Sequence, residues 1–323
     1  MHRLRRSRSA ELRPGDCIIL DTAKFRHPFL TAKGEARAQV RLERLATLWF
    51  NTGTLCNITC AGCYIESSPA NDRLVYLTPG DVTPFLDEVD EPIEIGFTGG
   101  EPFLNPHMID LMRLALDRGH LALVLTNAMR PMMRPRVRQG LLALRDAFGD
   151  RITLRVSLDH PDAGPHDGER GTGSYVETVA GLDWLNENRF RVAVAGRLWG
   201  DPEADLRGAF ADLFAARGWR IDADHPGELV LFPEMDARVD VPEITTACWG
   251  ILHKSPSDVM CASSRMVIKR KDADRAAVVA CTLLPYDPQF ELGATLADSA
   301  KEVPLNHPHC AKFCVLGGGK CAA

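Results

Sequence analysis

Residues 56–64 read CNITCAGCY, three thiols in the order C-x3-C-x2-C. Three thiolates can hold three corners of a [4Fe–4S] cube and leave the fourth iron free to take a small molecule. A closed structural zinc site takes four ligands, commonly as C-x2-C pairs, and a ferredoxin-type cluster also uses four cysteines. A count of three therefore points to an open site, with a zinc site as the alternative on the residues alone. Ten cysteines occur in all, and they fall unevenly. Cys17 stands alone, then come Cys56, Cys60 and Cys63, and Cys248, Cys261, Cys281, Cys310, Cys314 and Cys321 gather near the end. No export signal precedes them, so a reducing cytoplasm is expected, where closely spaced thiols bind metal or do redox chemistry rather than form disulfides. The pattern suggests two metal-binding regions joined by a cysteine-free scaffold.

That scaffold must place the triplet at a reactive edge. The apolar run LATLWF (45–50) reads as a buried strand immediately before the triplet. LTPGDVTPFLDEV begins with Thr-Pro and reads as a capped helix. IEIGFTGGEP is a strand broken by two glycines, and HMIDLMRLALDRG has apolar residues at helical spacing with a glycine at its end. Strand-like LALVLTN, ITLRVSLD, RVAVAGRLW and GELVLFPEM then alternate with the helical patterns RVRQGLLALRDAFGD, SYVETVAGLDWLNENR and EADLRGAFADLFAARG. Six β/α steps predict a parallel α/β sheet, barrel-like or doubly wound and short of the eight of a closed TIM barrel. Sites in such sheets lie at the C-terminal ends of the strands, which is where the triplet falls. Beyond residue 236 the pattern changes, and residues 263–284 read as a β-hairpin with a charged turn, Cys261 just before it and Cys281 near its end.

At this point the sequence resembles the radical S-adenosylmethionine (radical SAM) superfamily. The triplet matches that family's cluster motif. TGGEP (98–102) ends the second strand as the family's GGEP segment does. TNA (126–128) follows the third where Thr-Asn-Gly is frequent, SLD (157–159) ends the fourth, and HDGERGTGSY (166–175) is similar to a frequent H-D-x-x-R-G-x-G stretch. The likeness spans about residues 45–235. It implies a partial (β/α)6 barrel with a small Cys-rich C-terminal domain, divided as 1–44, 45–236 and 237–323.

The resemblance also implies chemistry. A reduced [4Fe–4S] cluster on Cys56, Cys60 and Cys63 passes an electron to SAM, which splits into methionine and a 5′-deoxyadenosyl radical that abstracts hydrogen from a substrate. Gly99 and Gly100 would let backbone approach SAM because no Cβ intervenes. Glu101 would meet its amino group. Asn127, Ser157 and Asp159 are candidates for hydrogen bonds to SAM, and Arg197 for its carboxylate. Two departures stand out: Gly62 occupies a position that is often aromatic, with Tyr64 beyond the third cysteine, and Ala128 replaces a glycine.

The tail HPHCAKFCVLGGGKC and the hairpin resemble the SPASM or Twitch extensions of such enzymes, without the full SPASM spacing. The expectation is one auxiliary [4Fe–4S] cluster on Cys261, Cys281 and two of Cys310, Cys314 and Cys321, with Cys248 as a substitute and zinc as the alternative. His107, His120 and His225 read as surface or packing residues, and Cys17 as a non-ligand.

Composition narrows the partners. Hydrophobic residues make up 45% of 323 residues, and the net charge is -5. A nucleic-acid partner is disfavoured by that charge, and no apolar run long enough to span a membrane occurs. The N-terminal MHRLRRSRSAELR reads as a solvated basic tail, with an acidic partner as the alternative, and the 44 residues before the first strand read as too short for a winged-helix peptide-recognition domain. The expected partners are a peptide or small-molecule substrate and a reductant such as flavodoxin or ferredoxin. A non-catalytic iron–sulfur electron carrier or metal-binding scaffold would also explain the cysteines, but gives GGEP, Asn127 and the S-x-D segment no role.

Overall fold

The computed structural model describes residues 19–200 and 202–319. Cys17, Cys321 and the basic N-terminal tail lie outside the described residues. A short strand β1 (Gln39–Val40) precedes β2 (Thr47–Asn51), and the chain then runs α1 (Pro79–Leu86), β3 (Glu94–Thr98), α2 (Met108–Asp117), β4 (Leu121–Thr126), α3 (Arg130–Met133), α4 (Pro135–Phe148), β5 (Ile152–Ser157), α5 (Ala163–Arg170), α6 (Ser174–Glu187), β6 (Arg191–Leu198), α7 (Glu203–Arg217) and β7 (Leu229–Pro233). Strands β2 to β7 lie side by side in chain order, every neighbouring pair parallel. This is the order a partial βα barrel requires, and all six expected steps are present.

The centres of β2 to β6 are buried and largely apolar because both faces are covered. Successive side chains point to opposite faces. Leu48, Phe50, Ile95, Phe97, Val124 and Leu154 pack with the helices through Leu111, Leu141, Leu182 and Phe210. Trp49 and Leu123 instead join a second core with Met266, Ile268, Val279, Phe290 and Phe313 of the C-terminal segment. Helix α1 starts where Thr78 and Asp81 close a reciprocal capping box and Pro79 opens the first turn. Helix α5, not anticipated as a helix, is built from the HDGER segment itself.

After β7 the chain forms α8 (Cys248–Leu252) and the expected hairpin, β8 (Ser264–Ile268) with antiparallel β9 (Ala277–Val279), then β10 (Glu291–Gly293) and β11 (Val303–Pro304). Strand β8 pairs in parallel with β2, Thr47 opposite Ser264 through Phe50 opposite Val267. One sheet therefore runs β10-β9-β8-β2-β3-β4-β5-β6-β7, while β11 pairs with β1. Buried Arg37 braces the N-terminal segment by pairing with Glu243 at 2.5 Å and donating to the Leu305 carbonyl. Among the described residues no helix is long and apolar enough to cross a membrane.

The junction of the two cores depends on one glycine. Gly96 lies opposite Trp49 in the ladder, and a Cβ there would sit 2.3 Å from the indole. Gly96→Ala forces the buried ring to move, and a loss of about 1–3 kcal/mol is expected from overpacking. Chemical denaturation of wild type and variant measures it, and an unchanged midpoint would show that the Trp49 pocket is not tight.

Candidate active site and auxiliary thiol cluster

Beyond β2 the chain crosses the C-terminal ends of the strands. Cys56 N–H bonds the Ser68 carbonyl at 3.1 Å, and Cys63 N–H bonds the Cys60 carbonyl at 3.4 Å, which curls the loop on itself. The three thiols then line one cavity of about 120 Å3, together with Tyr64, Ser67, Gly99, Gly100, Asn127, Ser157, Arg170 and Arg197. Every predicted site residue of this region borders it except Glu101 and Asp159, which lie behind it.

The glycine pair is sterically required. Gly99 holds φ +141°, and a Cβ on it would sit 2.4 Å from the Gly53 carbonyl oxygen; one on Gly100 would sit 2.2 Å from that of Leu55. The backbones instead zip together, with Gly100 N–H bonding Gly53 at 2.9 Å and Glu101 N–H bonding Leu55 at 3.1 Å. The pair thus seats the strand end against the thiol loop as well as lining the cavity.

Glu101 is 1% exposed. Its carboxylate accepts from the Thr126 hydroxyl (2.8 Å), Asn127 N–H (2.8 Å) and Phe103 N–H (3.2 Å). It organises the β3 and β4 loops from within. Asn127 is likewise engaged, donating to Asn57 Oδ1 at 2.9 Å and accepting from Met129 N–H at 3.0 Å. Ala128 stands at φ +56° with α6 packed on it through Gly181, where a Cβ would meet the Ala128 carbonyl oxygen at 2.0 Å.

Asp159 is 2% exposed and forms the centre of a charge network. Arg170 donates to both of its carboxylate oxygens, at 2.5 and 3.0 Å, and Arg197 stands at 3.4 Å. Burial pushes the carboxyl up, but the two guanidiniums prevail and hold it below the usual range. Arg170 Nη1 also lies 3.8 Å from Cys60 Sγ. Arg197 reaches Glu169 at 3.3 Å and the Gly62 carbonyl at 3.3 Å, so its charge faces two carboxylates. Glu169 in turn accepts from Gly62 N–H at 2.7 Å. A Cβ on residue 62 would sit 2.6 Å from Arg197 Nη1 and 2.9 Å from Glu169 Oε1. An ion pair therefore fills the place of a side chain at Gly62, while Tyr64 supplies the aromatic ring on the cavity wall.

The thiols have the surroundings of ligands. Ser67 N–H points at Cys63 Sγ (3.3 Å). Burial pushes Cys56 up to about 12 and Cys60 up to about 11, so as free thiols both hold their protons at neutral pH. Ser67 Oγ is buried at the cavity with no partner among the described residues. Among those residues no three Cys, His, Asp or Glu side chains are grouped to hold a metal ion; the triplet shares a wall instead. Donor type and the common cavity fit an iron–sulfur cluster. Arg170, Glu169 and Ser67 were missed as site residues in the sequence. Arg170 had a signal as the arginine of the HDGERG stretch, whereas Ser67 had none.

Cys261, Cys281, Cys310 and Cys314 border a second, apolar cavity of about 20 Å3 with Leu283, Phe290 and His309. Cys310 and Cys314 share one face of the π-helical turn Cys310–Leu316. Burial pushes Cys261 up to about 11, and burial with the nearby Cys281 and Cys261 raises Cys310 well above the ordinary thiol range. Four thiols in an apolar pocket suit a metal centre by donor type, iron–sulfur or zinc alike, although the space as it stands is close to that of one water. Cys248 lies apart, its sulfur accepting from Thr245 N–H at 3.3 Å. Cys321 is outside the described residues. His120 is buried and accepts from Ile93 N–H, and His225 accepts from Gly227 N–H in a turn.

Comparison with known proteins gives a concordant result. Residues 50–208 match the Radical SAM superfamily profile. The chain is 28% identical over 141 residues to the antilisterial bacteriocin subtilosin biosynthesis protein AlbA of Bacillus subtilis, covering 43% of this chain and 30% of that protein. It is 32% identical over 142 residues to the AdoMet-dependent heme synthase of Methanosarcina barkeri, covering 42% and 37%. The chain thus matches about a third of these relatives' lengths. In structure it is similar to Streptococcus suis SuiB bound to S-adenosylmethionine (TM-score 0.57, 11% identity, 78% of this chain and 64% of that one). It is also similar to native anSMEcpe with bound AdoMet (TM-score 0.57, 13% identity, 82% of each).

Burial pushes the Glu101 carboxyl up to about 7 against an ordinary value of 4.5. Between those values the folded chain keeps a proton that the unfolded chain releases, so this group's contribution to stability falls as pH rises through the window. Wild type should therefore lose stability relative to Glu101→Gln between about pH 4.5 and 7. Urea unfolding of both metal-free proteins at pH 5 and 7.5 reads the difference, and parallel pH dependences would refute it.

Proposed function

This chain carries a radical SAM superfamily domain, and on that premise we propose that it is an enzyme whose Cys56, Cys60 and Cys63 hold a [4Fe–4S] cluster. The observation that carries the proposal is the shared cavity, in which the three thiols meet Gly99, Gly100, Asn127 and Ser157 at the strand ends. Bound there, the cluster would supply the single electron for reductive cleavage of SAM, and hydrogen abstraction from a peptide or small-molecule substrate would follow. The chain's own residues do the positioning. Ser67 N–H and Arg170 donate toward Cys63 and Cys60 sulfur and stabilise the thiolate forms. Glu101 holds the Asn127 backbone in place. Arg197, already balanced by Asp159 and Glu169, is with Arg170 one of the two cations on the cavity wall available to a SAM carboxylate. The cavity walls favour this reading over a simple electron carrier, which needs no such cleft beside its cluster.

The relatives divide between a bacteriocin biosynthesis protein and a heme synthase, which supports both substrate classes. For the second cavity we propose an auxiliary [4Fe–4S] cluster on Cys261, Cys281, Cys310 and Cys314, whose four thiols suffice without Cys321 or Cys248.

Anaerobically reconstituted, reduced protein is expected to convert SAM to 5′-deoxyadenosine, and Cys56→Ala to lose that activity at least a hundredfold. Chromatographic quantification of 5′-deoxyadenosine decides it; no product from wild type, or undiminished product from the variant, would sink the proposal. The variant with Cys56, Cys60 and Cys63 all changed to Ala should retain about four irons per chain if the auxiliary cluster is present. Iron analysis showing none, or one zinc in its place, would reject that assignment.

A further inference from the structure

We propose that the arginine-rich face of residues 130–138 is the docking surface for an acidic one-electron donor protein of the flavodoxin or ferredoxin kind. The inference rests on the triplet being the cluster site. The stretch RPMMRPRVR carries Arg130, Arg134, Arg136 and Arg138 within nine residues. It forms α3 and the first turn of α4, directly after the Asn127 loop, and all four arginines are exposed.

This local charge opposes the chain's net charge of -5. Two clefts flank the stretch. One, of about 670 Å3, has Arg130 and Arg134 on one side and Asn57 and Ile58 of the thiol loop on another. The next, of about 540 Å3, is bordered by Arg134 and Arg136. Glu177 and Asp110 are the carboxylates among their linings, and Glu177 is paired with Arg130 at 2.8 Å.

The larger cleft is the one of the two that touches the thiol loop. Arg170 borders both it and the thiol cavity, and its Nη1 lies 3.8 Å from Cys60 Sγ. A single side chain thus separates the basic surface from a proposed cluster ligand. A donor must approach closely, deliver one electron and leave, and a charged face suits this because complementary charge raises the encounter rate more than the affinity. Half-buried Ile58 and Leu104 in the same cleft give a docked protein some apolar surface to desolvate. An acidic peptide substrate is the competing occupant, but a substrate needs no contact with the Arg170 side chain that joins this cleft to Cys60.

The test uses reconstituted full-length protein and the double variant Arg130→Gln/Arg136→Gln. Arg134 is left in place because it donates to the Phe103 and Pro131 carbonyls, and Arg138 because it lies over Trp184. Cluster bleaching is followed by stopped flow with flavodoxin hydroquinone over a range of salt, and separately with photoreduced deazaflavin, a small uncharged reductant. The variant's second-order rate with flavodoxin at low salt should fall about tenfold and its salt dependence flatten, while deazaflavin reduces both proteins equally. Equal flavodoxin rates and salt slopes would overturn the docking surface and leave the cluster assignment standing. A wild type that deazaflavin bleaches no further than the variant with Cys56, Cys60 and Cys63 all changed to Ala would instead remove the triplet cluster assignment, and the docking proposal with it.

Discussion

A buried carboxylate between two guanidiniums organises the reactive end of this molecule. A charge taken out of water must be paired or it costs several kcal/mol. Asp159 meets that demand with Arg170 from α5 and Arg197 from β6. The pairing fixes the end of β5 to the two elements that follow it. Each guanidinium then extends the constraint outward, Arg170 to Cys60 and Arg197 to Glu169 and the Gly62 backbone. The thiol loop is short of regular hydrogen bonding of its own, so this network is a large part of what holds its middle in place.

Close backbone contact constrains the loop from the other side. Gly99 and Gly100 let the end of β3 press against the chain between Gly53 and Leu55 at distances no Cβ allows. Glu101, immediately after, faces inward and gathers N–H and O–H groups from two loops. The cleft beside the thiols is thus shaped by groups that point away from it as much as by those that line it.

Much of this was legible in the sequence, for reasons that can be named. Strands β2 to β6 announced themselves because their centres are apolar and buried, and β7 because LVLF is apolar though half-buried. The capped start of α1 and the hairpin β8–β9 were legible from Thr78-Pro79 and from the charged turn at 269–275. The triplet, the glycine pair, Asn127 and Ser157 could be assembled into one site because each follows a strand of a parallel sheet. What escaped was long-range or mutual. Parallel pairing of β8 with β2 joins residues more than 200 positions apart, and no local pattern encodes it. Helix α5 was masked by the glycines and charges of HDGER, whose polar side chains serve the network and not an apolar stripe. Glu101 was read as facing a ligand because its type suits an amine; its burial is set by Thr126 and Asn127, which only the fold brings to it. Gly62 was a departure without a reason until Glu169 and Arg197 were seen to occupy the space above it.

The pairing of β8 with β2 sets a length scale. The triplet follows the C-terminal end of β2, whereas Cys261 precedes the N-terminal end of β8, its parallel neighbour. The two thiol sets therefore hang from opposite ends of adjacent strands of five residues, a span of roughly 17 Å at the usual rise per residue. A hydrogen-bonded ladder does not stretch or slide without flipping its side chains. The sheet acts as a spacer of fixed gauge between the loops that carry the two thiol sets.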